Sequence, residues 1–184
     1  MLKVSLNMSD VERMLAGVSQ GAAERAIRSA ISRTLKGARQ EASRKAAERY
    51  TAKASSISKT LKVRVTGTVG ALTSKSYRMY LTSFKHKPQK RPSKVTKGNP
   101  YFYSEVIRGQ RKLREHAFLS SASGSHAFER LGKPRYPIKM LYGPSAAEML
   151  GKPPTSTYIM AKMEERAQVN VLHEVSALLG GFRS

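Results

Sequence analysis

The chain contains no cysteine, no tryptophan and a single aspartate, Asp10. Without cysteine there are no disulfides, no thiolate chemistry and no cysteine-type zinc sites. The scarcity of aspartate argues against metal-dependent phosphodiester cleavage, which uses clustered carboxylates. Aromatic residues make up only 7%, so a core can form but not a large aromatic one. No apolar run approaches the roughly 18 residues that a bilayer span requires, and mean hydropathy is -0.45. Met1-Leu2-Lys3-Val4 lacks the charged-then-apolar design of a secretion signal. A cytosol-like compartment and no membrane partner are expected.

Positive charge is what the chain has in excess. Thirty-four Lys+Arg face twelve Asp+Glu, giving +22. Such a chain repels itself and needs anionic surroundings. Nucleic acid is the first candidate partner, because each neutralised phosphate releases a counterion. A solvated basic surface is the plain alternative.

Periodicity predicts an α+β fold: a long N-terminal helix and a C-terminal helix packed on a small, mostly antiparallel sheet. The 184 residues suit one domain over 1–155 and a C-terminal helix within 156–184. That helix would pack on the same domain or on a neighbouring subunit. Leu2, Val4 and Leu6 alternate as a short strand. Ser9-Asp10-Val11-Glu12 has the spacing of a capping box and opens a helix reaching residue 50, broken near Gly17–Gly21. Within it Ala23, Ile27, Ala30, Ile31, Thr34, Leu35, Ala38 and Ala42 share a face. Arg25, Arg28, Arg33, Lys36 and Arg39 fall opposite, where they could meet phosphates, an acidic partner or solvent.

Ala52–Leu61 reads as a second helix. Lys62–Thr66 and Thr68–Ser74 flank Gly67 as a hairpin, and Tyr77–Phe84 as a third strand with Tyr80 and Phe84 in reach of the core. Residues 85–100 show no apolar period. Lys85, Lys87, Lys90, Arg91, Lys94 and Lys97 alternate there with prolines, which predicts an extended, mobile basic loop. It could contact phosphates or an acidic protein surface. Tyr101–Ile107 is strand-like; its aromatic trio could stack bases or lie half-buried. Arg108, Arg111, Lys112 and Arg114 form a second basic cluster. Strands follow at His116–Ser121, Ala127–Arg130 and Pro137–Pro144. Ser145 and Glu148 cap a short helix, and residues 156–179 form the last one, ended by Gly180-Gly181.

Catalytic signatures are weak. Most of the eleven glutamates sit beside basic residues in helical segments. Glu164 and Glu165 point about 100° apart on a helix. His86, His116, His126 and His173 show no metal-ligand spacing. There is no Gly-x-Ser-x-Gly elbow, and in Gly151-Lys152-Pro153 a proline stands where a phosphate loop needs Ser or Thr. No catalytic residue, cofactor or metal is expected.

One stretch is more informative: Arg135-Tyr136-Pro137-Ile138-Lys139-Met140-Leu141-Tyr142-Gly143-Pro144-Ser145. Preceded by Ala117-Phe118 and by Ala127–Lys133, it resembles the minor tail protein Z family of tailed bacteriophages and prophages. The basic Ala22–Tyr50 segment, Leu61-Lys62-Val63-Arg64 and Leu172-His173-Glu174 are similar too, so the resemblance runs over roughly residues 2–180. It implies a structural tail-completion protein at the head-proximal neck of a virion, made in the bacterial cytoplasm. Its implied partners are tail terminator, tail tube and head–tail connector proteins. A homo-oligomeric ring, of hexameric type, and non-specific contact with double-stranded DNA are implied as well. The motif residues Pro137, Ile138, Lys139, Tyr142, Gly143 and Pro144 would define the fold first and an interface second. The alternative is a non-specific, basic nucleic-acid-binding protein.

Overall fold

The computed structural model describes residues 2–4, 18–74, 77–89, 102–120, 126–153 and 155–180. The expected Ser9–Glu12 capping box and the cations Lys90, Arg91, Lys94 and Lys97 lie outside the described residues. The fold is α+β: two long helices with small antiparallel sheets.

Helix α1 (Gln20–Arg49) is rich in Ala, Arg, Lys and Glu, all good helix formers. It buries Ile27, Ala30, Ile31, Thr34, Leu35, Ala38, Ala42 and Ala46. The small residues let its partners approach closely. Two hydroxyls on this face need no outside partner: Thr34 donates to the Ala30 carbonyl at 2.8 Å and Ser43 to that of Arg39 at 2.7 Å. After Tyr50 the short helix α2 (Ala54–Thr60) anchors itself through Ile57.

Strands β1 (Leu2–Val4), β2 (Leu61–Thr66) and β3 (Val69–Ser74) form one sheet in the order β1-β3-β2. The β2–β3 turn is tight because Gly67 takes φ +57°, where L side chains are strained. Gly70 on β3 lets the sheet press on α1. A methyl group there would lie 2.3 Å from Ile31 Cγ2 and 2.6 Å from Leu35 Cδ1.

The remaining strands make three more small sheets where one was expected. β4 (Arg78–Tyr80) is followed by a 3-10 turn, Leu81–Ser83, so the expected strand Tyr77–Phe84 is cut short. Tyr80 is 43% exposed and does not enter the core, whereas Phe84 does. β5 (Lys85–Lys87), β6 (Phe102–Glu105) and β7 (Arg111–Arg114) form a second sheet in that order. The expected basic loop therefore begins as a paired strand: Lys85 faces Glu105 and Lys87 faces Tyr103 across the ladder. β8 (Ala117–Ser120), β9 (His126–Arg130) and β10 (Ile138–Met140) form a third sheet.

The expected single strand Pro137–Pro144 splits at Leu141 into β10 and β11 (Tyr142–Ser145), and β11 pairs with β4 instead. Leu141 is the pivot. Its N–H donates to the Ala127 carbonyl at 2.8 Å, and its own carbonyl accepts from Leu81 N–H at 3.1 Å. Its side chain joins Leu81, Phe102, Leu119 and Ala127 in a small second core that ties these sheets together.

Ser145 caps helix α3 (Ala146–Gly151) with a complete capping box to Glu148. Helix α4 (Thr155–Leu179) then runs antiparallel along α1 and buries Ile159, Met163, Ala167, Val171 and Val175.

Candidate functional site

The basic residues fall into two settings. In the first, cations are neutralised between the helices. Glu174 is only 1% exposed, an acid on the apolar stripe of α4. Arg33 Nη1 reaches it at 3.0 Å and the Ser29 hydroxyl donates to it at 3.1 Å. One turn along, Asn170 donates to Thr34 Oγ1 at 3.0 Å, and beyond that Arg166 Nη2 donates to Glu41 at 2.9 Å. Gly37 leaves room for this arginine, since a methyl group there would stand 2.5 Å from its Nη1. Arg33 is thus not a free surface cation. Nor is Arg39, whose Nε donates to the Ser58 carbonyl at 3.0 Å and fastens α2 to α1. Arg25, Arg28 and Lys36 remain exposed and have no carboxylate partner among the described residues.

The second setting is the sheet β5-β6-β7. It is pinned to the end of α1. The Thr51 N–H donates to the Val106 carbonyl at 3.0 Å, the Thr51 hydroxyl donates to the Glu105 carbonyl, and it accepts from Lys85 N–H at 3.0 Å. Arg108 belongs to this anchor. Its N–H donates to the Arg49 carbonyl at 2.9 Å and its Nε to that of Ala47 at 3.0 Å. A cation at the carboxyl end of a helix meets the negative pole of its dipole. Lys85 Nζ pairs with Glu105 at 2.9 Å. The Gly109 N–H and then Lys85 hold the Glu105 carboxyl below its ordinary pKa.

Arg111, Lys112 and Arg114 lie on the edge strand β7 and Lys87 on the opposite edge; no carboxylate within 4 Å pairs with Lys87, Arg111 or Lys112 among the described residues. Arg111 covers the ring of Tyr103 at 4.3 Å. Arg114 is half-buried, 3.9 Å from a Glu129 that Lys139 already holds at 3.1 Å. Beside β7 opens a cleft of about 520 Å³, lined by Arg111, Lys112 and Arg114 together with Tyr50, Pro144 and Lys152. Lys152 was not legible as a site residue, because only the fold brings the end of α3 to β7.

The motif residues divide in the same way. Lys139 ties β10 to Glu129 of β9. Gly143 lies against Phe84: a methyl group would stand 2.4 Å from Cε2 of its ring. Ile138 is half-buried and Pro137 exposed. Tyr142, 44% exposed, stacks on Tyr80 at 5.5 Å, and Tyr80 stacks on His126 at 4.0 Å. Pro144 borders the basic cleft. The motif therefore both packs the small sheets and reaches the surface.

Among the described residues no three His, Asp or Glu side chains gather as a metal site, and no helix is long and apolar enough to cross a membrane. No family model, no curated protein and no solved structure matches the chain.

Proposed function

We propose that the protein is a structural, non-catalytic tail-completion protein of a tailed bacteriophage. It would act in an oligomeric ring at the head-proximal end of the tail, where the finished tail joins the DNA-filled head. The observation that carries this reading is the run Arg135–Ser145, with its likeness to the minor tail protein Z family. The contacts of that run are compatible with it. Gly143 against Phe84 and the Leu141 pivot give the motif a reason to be fold-specifying. The α+β architecture and the excess of positive charge fit a neck component, which sits where DNA passes and where neighbours can be acidic. A basic surface that holds phosphates and not particular bases tolerates a moving duplex. Several glutamates are engaged in ion pairs or in the α3 cap, which supports a structural use of the carboxylates.

A second reading, a basic nucleic-acid-binding protein with no role in tails, is favoured by the cleft beside β7. In vitro complementation separates the two. Purified protein is added to a lysate of a phage lacking this gene, and plaque-forming units are titrated. Restored titre supports tail completion; an unchanged titre, with wild-type lysate as the positive control, contradicts it.

A further inference from the structure

The charge of this protein is high everywhere in sequence but concentrated unevenly in space. The cleft beside β7 is where cations converge on a concave surface. Arg111, Lys112 and Arg114 reach it from the edge strand, and Lys152 from the end of α3. No carboxylate lines it among the described residues. Arg114 is half-buried and its Nη1 lies 3.9 Å from Glu129, so Arg111, Lys112 and Lys152 are the cations of the cleft without an ion-pair partner among the described residues.

We propose that this cleft is a phosphate-binding site that grips the backbone of a nucleic-acid strand. Lys112 and Arg114 lie two residues apart on an extended strand and face the same side, about 7 Å from one another. That is the scale of neighbouring phosphates along one chain. Lys152 adds a third exposed cation to the lining. Arginine in such a place forks onto phosphate oxygens, and the lysines act as point charges. Arg111 is steadied by the Tyr103 ring. Contacts to phosphates carry no base information, so binding of this kind is independent of sequence. The proposal deepens the functional reading above and rests on it only for the biological setting: the DNA that crosses the neck is the natural occupant.

The test is fluorescence anisotropy with labelled mixed-sequence duplex DNA over a range of salt. Lys112→Ser/Lys152→Ser removes two exposed cations from the cleft; Arg25→Ser/Arg28→Ser removes two from α1. The cleft variant is expected to bind about tenfold more weakly, with its salt slope reduced by roughly 1.8, or 0.9 per lost phosphate contact. The α1 variant is expected to change affinity by less than about threefold. Equal losses in both variants would show that net charge alone drives binding and would overturn the site, leaving the cations as guards of an edge strand. Two competitors identify the ligand. Polyglutamate that displaces DNA at equal charge concentration would overturn a nucleic-acid site in favour of an acidic protein surface. Inorganic phosphate that displaces it at micromolar concentration would reassign the cleft to a free anion. A failed binding result beside restored plaque titre removes this site and leaves tail completion standing; the converse removes tail completion alone.

Discussion

The helix pair and the basic sheet use the same residue types to opposite ends. Between α1 and α4, Arg33 and Arg166 pair with Glu174 and Glu41 at the contact of the two helices. At the sheet β5-β6-β7 Lys85, Arg108 and, more loosely, Arg114 are tied down, while Lys87, Arg111 and Lys112 have no carboxylate partner among the described residues. A formal charge of +22 therefore overstates the layer between the helices and understates the sheet. Cations in the first region belong to stability. Cations in the second are available to a ligand.

If that division is right, the helix layer is where substitutions should cost most. Gly70→Val is the most severe case, because its side chain would enter Ile31 and Leu35. A loss of about 3 kcal/mol or outright misfolding is expected, measured as the urea midpoint; a midpoint near wild type would mean that β3 does not press on α1. Arg33→Ala comes next. It removes the cation from a buried carboxylate, and with Arg33 45% exposed we expect a cost of about 2 kcal/mol, below that of a fully buried pair. A double-mutant cycle with Glu174→Gln should recover at least about 1 kcal/mol. Additive effects would place Arg33 with the free surface cations and dissolve the contrast between the regions.

These arginines also mark the limit of what the sequence discloses. The long helices were legible because their apolar stripes keep a helical period, and the α3 cap because Ser145 and Glu148 stand three residues apart. Arg33 and Arg28 look alike on α1. Only the acid on the α4 stripe, Glu174, hints that one of them is paired, and finding its partner requires the helices to be docked. The β7 strand was missed because Arg111-Lys112-Leu113-Arg114 has no apolar alternation; it pairs through its backbone at a sheet edge. The break at Leu141 was missed because two hydrogen bonds to residues distant in sequence, Leu81 and Ala127, make it. The cleft could not be read at all, since it joins positions 50, 111–114, 144 and 152.

Smaller effects sharpen the comparison. Ser145→Ala should cost about 1 kcal/mol by removing the hydroxyl that accepts from Glu148 N–H. Thermal unfolding checks it, and an unchanged transition would argue that α3 is held by packing alone. The smallest effect is one of pH. Glu105 and Glu148 have carboxyls held below the ordinary value of 4.5, the first by the Gly109 N–H and Lys85, the second by the Ser145 N–H and hydroxyl. Their contribution is fully present above pH 4.5 and is lost as pH falls through the lower folded values. Glu105→Gln should therefore flatten the decline in melting temperature below about pH 4.5. An identical acid limb in wild type and variant would exclude Glu105 from it.

The most direct measurement of the central claim is negative-stain electron microscopy of a lysate from a phage that lacks this gene. Full heads beside separate, near-complete tails, joined when the protein is supplied, are the expected result. Normal, joined particles in its absence would contradict a role in tail completion.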